Sequence, residues 1–269
     1  MIEKEVRDMV NILTSTTHVW NVIIAVLLLC LSYIIGSIPF GILIGKGICH
    51  VDIREHGSKN IGTTNAIRVL GKKVGFLVFF FDVFKGMFVI ILIRILHSTG
   101  IFYTEPIMTN SLQLDMLLYG AAAILGHSFS IFLKFKGGKA VATSLGVIFM
   151  ISPLAAILCL VAFLITLYAT GYVSLASTFA ALTVTITCWI LYAFGITDTN
   201  FIEYFIAKLN LVVCIIVSII AGLILLKHRK NYVRLLNGTE NNFKKAKKEK
   251  KAQTEALKQA SQNEENKGE

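Results

Sequence analysis

The chain has 269 residues, of which 55% are hydrophobic and only 16% charged, with a formal net charge of +10 and a mean hydropathy of +0.71. Soluble domains are nearer half apolar and a quarter charged, which excludes an ordinary soluble enzyme. Several runs are long enough to cross a hydrocarbon core of about 30 Å, so the expected fold class is an all-α integral membrane protein. The basic excess is concentrated beside those runs, and no nucleic-acid partner is expected. The five cysteines (Cys30, Cys49, Cys159, Cys188, Cys214) show no CxxC or metal spacing and read as small buried hydrophobes. The first apolar run lacks a small-residue cleavage site, so no cleavable signal is expected.

In chain order, residues 1–20 form a polar arm of mixed charge, 21–240 the membrane domain, and 241–269 a Lys/Glu-rich cytoplasmic tail expected to be disordered. Asn21 to Gly45 reads as a first span kinked at Pro39. A loop over 46–73 follows, carrying Lys46, Arg54, Lys59, Arg68, Lys72 and Lys73. Val74–Leu96 reads as a second span and Leu114–Leu133 as a third, with residues 97–113 between them free of Lys and Arg. The apolar tract 140–169 is too long for one crossing, and Ser152-Pro153 in its middle predicts a turn. Further spans cover 173–194 and about 207–226. Splitting 140–169 gives seven transmembrane helices, with the N-terminus outside and the C-terminus cytoplasmic. That count places 46–73, 134–139 and the segment from Lys227 on one side, as the cytoplasmic bias of Lys and Arg requires.

Three polar groups share that side. Gly57–Gly71 contains Ser58, Asn60, Gly62, Thr64 and Asn65, hydrogen-bonding groups or an open backbone, followed by Arg68, whose fork suits phosphate. An amphipathic interfacial stretch with a capping residue fits the same pattern. The second group is Lys134, Lys136, Gly137, Gly138 and Lys139 between two apolar runs. Paired glycines let backbone amides approach a ligand, and a helix starting near Ala140 would aim its amides there. This is not a Walker loop, because Ala140 follows Lys139 where Ser or Thr is needed. A loop snorkelling to lipid headgroups fits as well. The third group follows the last span, where helical spacing puts His228, Asn231 and Arg234 or Leu235 on one face. His127 reads as structural.

Asp82 and Lys85 sit one turn apart inside a span. Charges there are costly and usually functional; an internal ion pair and a Lys85 contact to substrate fit equally. Ser174 and Ser177 begin a later span, where helix packing through small residues also explains them. No GxSxG elbow, HExxH or carboxylate cluster is present, so no metal or cofactor is expected. The chemistry points to an anion site that orients phosphorylated molecules and stabilises developing negative charge.

Six segments in order, Gly-Ser-Ile-Pro-Phe-Gly (36–41), Gly57–Gly71, Asp82-x-x-Lys-Gly86, Gly126–Thr143, Tyr172–Ser177 and His228–Glu240, resemble the bacterial acyl-phosphate-dependent glycerol-3-phosphate acyltransferases, the PlsY family. The resemblance covers roughly residues 25–240. It implies a seven-span fold and acyl transfer from acyl phosphate to the 1-hydroxyl of sn-glycerol 3-phosphate. The products would be lysophosphatidic acid and phosphate, in the first acylation step of membrane phospholipid synthesis. Ser58, Asn60 and Arg68 match the first motif's polar positions, Gly137, Gly138 and Lys139 the phosphate loop, and His228, Asn231 and Glu240 the third motif. Thr63 departs from the pattern, standing where the motif commonly has Ala. The expected catalytic set is Ser58, Arg68, Lys139, His228 and Asn231. The expected substrate contacts are Asn60, Gly62, Thr64, Asn65, Lys85, Gly137, Gly138, Ser174, Ser177 and Glu240. A transporter of organic phosphate is the competing class, since broken helices suit one; the inverted repeat that would support it is not visible.

Overall fold

A computed structural model of the protein describes residues 2–99, 112–195 and 211–245, together with residue 255. The two loops without Lys or Arg lie largely outside these residues, as does most of the Lys/Glu-rich tail. Among the described residues every regular element is helical: α1 (Ile2–Ser37), α2 (Phe40–Cys49), α3 (Thr63–Leu70), α4 (Lys72–Ser98), α5 (Leu112–Ser128), a 3-10 turn (Ile131–Leu133), α6 (Val141–Ile151), α7 (Pro153–Thr170), α8 (Val173–Ala193), α9 (Leu211–Lys227) and α10 (Arg229–Leu236).

Among the described residues five stretches are long and apolar enough to cross a membrane: Trp20–Ser37, Lys72–Ser98, Met116–Leu133, Pro153–Thr170 and Val173–Ala193. α9 and α10, bent by 49° at their junction, make a sixth if taken together. Large apolar side chains cover the outside. Phe76, Phe80, Phe84 and Phe88, four residues apart on α4, are all exposed. Such a stripe is stable only against lipid.

The first span differs from the kinked helix expected over 21–45. α1 stops at Ser37 and α2 restarts at Phe40, because Pro39 cannot donate to the helical ladder. The Ile38 carbonyl released by the break accepts from Lys85 Nζ at 2.9 Å. The turn expected at Ser152-Pro153 is present: α6 ends at Ile151 and α7 begins at Pro153. Ser152 caps α7, its Oγ accepting from the Ala155 amide at 3.5 Å, with proline at the first helical position, where no donor is needed. α6 has 11 residues and so rises only about 16 Å.

Without a hydrophobic force between lipid-bathed helices, small residues and close backbones hold the bundle. A Cβ on Gly36 would run into the Ala123 carbonyl of α5, and one on Gly126 into the Tyr33 carbonyl of α1. Gly86 and Gly146 do the same for α4 and α6, facing the carbonyls of Thr143 and Val83. The main core cluster includes Leu28, Ile90, Tyr119, Val147, Cys188 and Val213, drawn from α1, α4, α5, α6, α8 and α9. One end of that bundle carries the polar groups.

Candidate active site

Lys139 lies in the loop before α6, and its Nζ donates to Asn231 Oδ1 of α10 at 2.6 Å. Asn231 Nδ2 donates in turn to Glu240 Oε1 at 2.6 Å, and Arg234 Nε donates to Glu240 Oε2 at 2.8 Å. Residues 92 apart in sequence thus form one line: Lys139, Asn231, Glu240, Arg234. The three-residue spacing on α10 aims Asn231 and Arg234 at the same carboxylate, the face anticipated from helical periodicity. The line also fixes the Asn231 amide, with oxygen toward the ammonium and nitrogen toward the carboxylate.

Electrostatics converge on the same place. Arg68 of α3 and Arg234 both act on Lys139, and Glu240 acts on all three cations. Three cations therefore face one carboxylate, a surplus that suits a phosphate of charge about −1.5 to −2. Burial, followed by the two arginines, lowers the Lys139 ammonium from 10.5 to about 8, while Glu240 pulls the other way. Burial opposes ionisation of Glu240, yet its bonds from Asn231 and Arg234 outweigh that and hold its carboxyl below the ordinary value. Ser174 at the start of α8 is buried beside Glu240 and contributes to that lowering, though its hydroxyl makes no hydrogen bond of ordinary geometry. Ser177, one turn further on, is also buried.

His228, only 2% exposed, stands where α9 meets α10. Its Nδ1 lies 2.8 Å from the Ile224 carbonyl oxygen. A carbonyl only accepts, so Nδ1 carries the proton and Nε2 of the neutral ring keeps a lone pair. Nearby, Thr178 Oγ1 donates to the Ser174 carbonyl at 2.9 Å, which leaves Tyr232 as donor in the 2.7 Å bond between their hydroxyls.

The first loop is largely a self-supporting structure. Asn65 Oδ1 accepts from the Ser58 amide at 2.8 Å, and Nδ2 faces the carbonyls of Ile53, Asn60 and His56 at 2.8, 2.9 and 3.1 Å. Asn60 Oδ1 accepts from the Gly62 amide at 2.9 Å. The side-chain bonds of Asn60 and Asn65, expected on substrate, therefore go to the loop that presents Ser58 and Arg68. Ser58 is exposed, and Thr64 half-buried. Arg54 and Lys46 bind Asp52 at the loop's entrance, at 2.6 and 3.0 Å.

Lys85 is also placed differently from a substrate contact. It is 2% exposed, and its Nζ lies 2.8 Å from Asp82 Oδ1, 2.9 Å from the Ile38 carbonyl and 2.8 Å from His127 Nδ1. Its close contacts are an ion pair to Asp82 and two hydrogen bonds, all internal, so Lys85 braces the end of α1, α4 and α5 as the internal ion pair. The brace reaches the basic loop through glycine. A Cβ on Gly138 would strike the His127 ring, one on Gly137 the His127 carbonyl. The Gly138 amide donates to that carbonyl at 2.9 Å. Where ligand approach was expected of the glycine pair, close packing on the end of α5 accounts for both residues, and the Gly138 amide is not free.

Arg68, Lys139, His228, Asn231, Glu240 and Ser174 thus come together, while Lys85, Asn60, Asn65 and the two glycines support from behind. Arg234 joins the site beyond the residues expected from the sequence, and its place on the His228–Asn231 face is the signal for it. Among the described residues no three His, Cys, Asp or Glu side chains group to hold a metal.

A helical membrane bundle with a surplus of positive charge at one end defines an integral membrane protein with a site suited to an anion. The profile of the family described as glycerol-3-phosphate acyltransferase matches residues 26–238. A glycerol-3-phosphate acyltransferase of Acholeplasma laidlawii is 42% identical over 224 residues, covering 82% of this chain and 93% of the relative. One from Streptococcus pneumoniae (strain Taiwan19F-14) is 39% identical over 218 residues, covering 81% and 92%. The crystal structure of PlsY (YgiH), an integral membrane glycerol 3-phosphate acyltransferase, in its glycerol 3-phosphate form is 36% identical, with a TM-score of 0.66 over 81% of this chain and 95% of that one. Its lysophosphatidic acid form gives 34% and 0.64. The chain belongs to the glycerol-3-phosphate acyltransferase family, and is a membrane acyltransferase of phospholipid biosynthesis.

Proposed function

We propose that this protein transfers a fatty acyl group from an acyl phosphate to the 1-hydroxyl of sn-glycerol 3-phosphate, releasing lysophosphatidic acid and phosphate. The observation that carries this reading is the line from Lys139 through Asn231 to Glu240 and Arg234, with Arg68 facing it. Its surplus charge suits a substrate phosphate, and holding donor and acceptor together supplies the main advantage when the donor is already activated. The substrate hydroxyl oxygen attacks the acyl carbonyl, the carbon–oxygen bond to phosphate breaks, and phosphate leaves with both bonding electrons. The hydroxyl proton goes to a phosphate oxygen or to Nε2 of His228, and His228 with its Nδ1 bond to Ile224 is oriented for that. Lys139, Arg68 and Ser58 hold phosphate oxygens, with Gly62, Thr64 and Ser177 lining the approach, while Gly137 and Gly138 hold the Lys139 loop on the end of α5.

The wider arrangement belongs to the same proposal. α6 serves as a short seventh crossing, the N-terminus lies outside, and the site faces the cytoplasm of a cell membrane, since the loops rich in Lys and Arg share its side. The acyl chain of the donor lies in lipid along the spans. Residues 1–20 are an arm, and 241–269 a tail whose first residues, Asn242 to Lys244, bond to the end of α7.

The test uses purified protein in lipid with labelled glycerol 3-phosphate and acyl phosphate, acyl-CoA or acyl carrier protein as donor. Lysophosphatidic acid from acyl phosphate alone is the expected result. Product from a thioester donor instead would overturn the donor assignment. Saturable binding without product from any donor would favour a transporter.

A further inference from the structure

Two residues beyond Glu240 the chain fastens onto the end of α7. Asn242 Nδ2 donates to the Thr170 carbonyl at 2.9 Å, the Phe243 amide donates to the Gly171 carbonyl at 2.8 Å, and Lys244 Nζ donates to the Ala169 carbonyl at 3.0 Å. These carbonyls are at the C-terminus of a helix, where no intrahelical donor remains. Asn242 Oδ1 meanwhile accepts from the amides of Lys244 and Lys245 at 2.9 and 3.1 Å, capping the turn that follows. Gly171 makes room for this. Its φ is +75°, and a Cβ there would strike the Asn242 amide.

We propose that Asn242 is a positioning residue of the active site: by latching the chain to the α7–α8 turn, it holds the Glu240 carboxylate on Asn231 and Arg234, and through Asn231 keeps Lys139 in place. The proposal rests on the reading of Lys139, Asn231 and Glu240 as the phosphate-binding line. Neither Asn242 nor Gly171 belongs to that line, and the latch joins a segment near the chain's end to the turn that precedes Ser174. Only Asn237 to Asn241 separate Asn242 from the end of α10, and the Glu240 backbone amide bonds to the Arg234 carbonyl at 3.1 Å, so Glu240 sits in a short loop held at α10 on one side and by the latch on the other.

The latch has a consequence that a purely structural contact lacks. Lys139 faces Glu240 and Arg234 from the α10 segment, Arg68 from α3, and His228 at the head of α10. Glu240 is the only anion of these and the one that favours the charged ammonium. Loosening it therefore lets Lys139 lose its proton at lower pH, and substrate phosphate binds more weakly on the alkaline side.

The experiment measures equilibrium binding of labelled glycerol 3-phosphate to the full chain in phospholipid nanodiscs, from about pH 6.5 to 9.5, for wild type, Asn242→Ala, Gly171→Ala, the double variant and Lys139→Ala. At the acid end both single variants bind within about twofold of wild type, while at the alkaline end they bind about three- to tenfold more weakly, the effect of a half to one unit at Lys139. The double variant binds no more weakly than Gly171→Ala alone, since both undo one contact and the cost of a side chain at φ +75° is already present in that single variant. Gly171→Ala reaches the latch from the other side and decides the matter if Asn242→Ala does not fold. Wild-type binding throughout, or weakening by the same factor at every pH, overturns the latch. Undiminished binding by Lys139→Ala overturns the underlying site reading instead.

Discussion

Replacing Lys139 is the sharpest perturbation of the site, because it removes one charge without disturbing the carboxylate behind it. In Lys139→Ala, Asn231 keeps its bond to Glu240 and Arg234 keeps its ion pair. A hydrogen bond from a charged donor contributes about 1.5–3 kcal/mol net, and a unit charge pair at about 4 Å about 4 kcal/mol at an effective dielectric of 20. The expected loss of transition-state stabilisation is then about 2–4 kcal/mol, or about 30- to 1000-fold in kcat/KM. Stability should move the other way. The folded ammonium titrates near 8 and the unfolded one near 10.5, so between these values the unfolded chain binds more protons and wild-type stability rises with pH. Removing the half-buried cation should abolish that rise and leave the midpoint of thermal unfolding at pH 7 unchanged or higher. Lys139→Arg completes the test: its guanidinium stays charged, so the weakening of glycerol 3-phosphate binding above about pH 8 should vanish. The assays are initial rates and nanodisc thermal unfolding across pH. Full activity in Lys139→Ala, or an unmoved alkaline limb in Lys139→Arg, would refute the reasoning.

Three further outcomes follow from the same structure. Lys85→Met leaves Asp82 buried without its cation and takes the ammonium from the Ile38 carbonyl; a loss of about 3–5 kcal/mol is expected, partly restored by adding Asp82→Asn, as thermal unfolding would register. Gly86→Ala and Gly146→Ala push a methyl into the α4–α6 contact and should each cost about 1–3 kcal/mol. Gly222→Ala, with nothing near its Cβ, should be neutral in the same denaturation series. Asn65→Ala removes the bonds that gather Ile53, His56, Ser58 and Asn60, and should raise KM for glycerol 3-phosphate and speed proteolytic cleavage within 53–62; Asn65→Asp should not rescue, because a carboxylate would repel three carbonyls.

The breaks in the chain were legible because proline acts locally. Pro39 ends a helix by lacking a donor, and Ser152-Pro153 both stops and restarts one. The basic loop, the α10 face and the Asp82–Lys85 pair were equally visible, since helical spacing puts residues three apart together. What the sequence hid was where each hydrogen bond goes. Gly137 and Gly138 read as an opening for a ligand, yet the same absence of Cβ serves packing onto His127. Asn65 reads as a recognition group but binds its own loop. The Lys139–Asn231 bond joins positions 92 residues apart, and no periodicity reports such a pairing. Arg234 was visible on the right face, but its partner Glu240 lies past the helix end, beyond the reach of helical spacing.

The amide between Lys139 and Glu240 acts as an insulator. Had the carboxylate met the ammonium directly, the two would neutralise one another, and an incoming phosphate would have to break an ion pair to enter. Asn231 passes on the carboxylate's orienting pull through a neutral group, so the cation is steadied without being quenched. Asn231→Asp, a change of one atom, would short-circuit that arrangement.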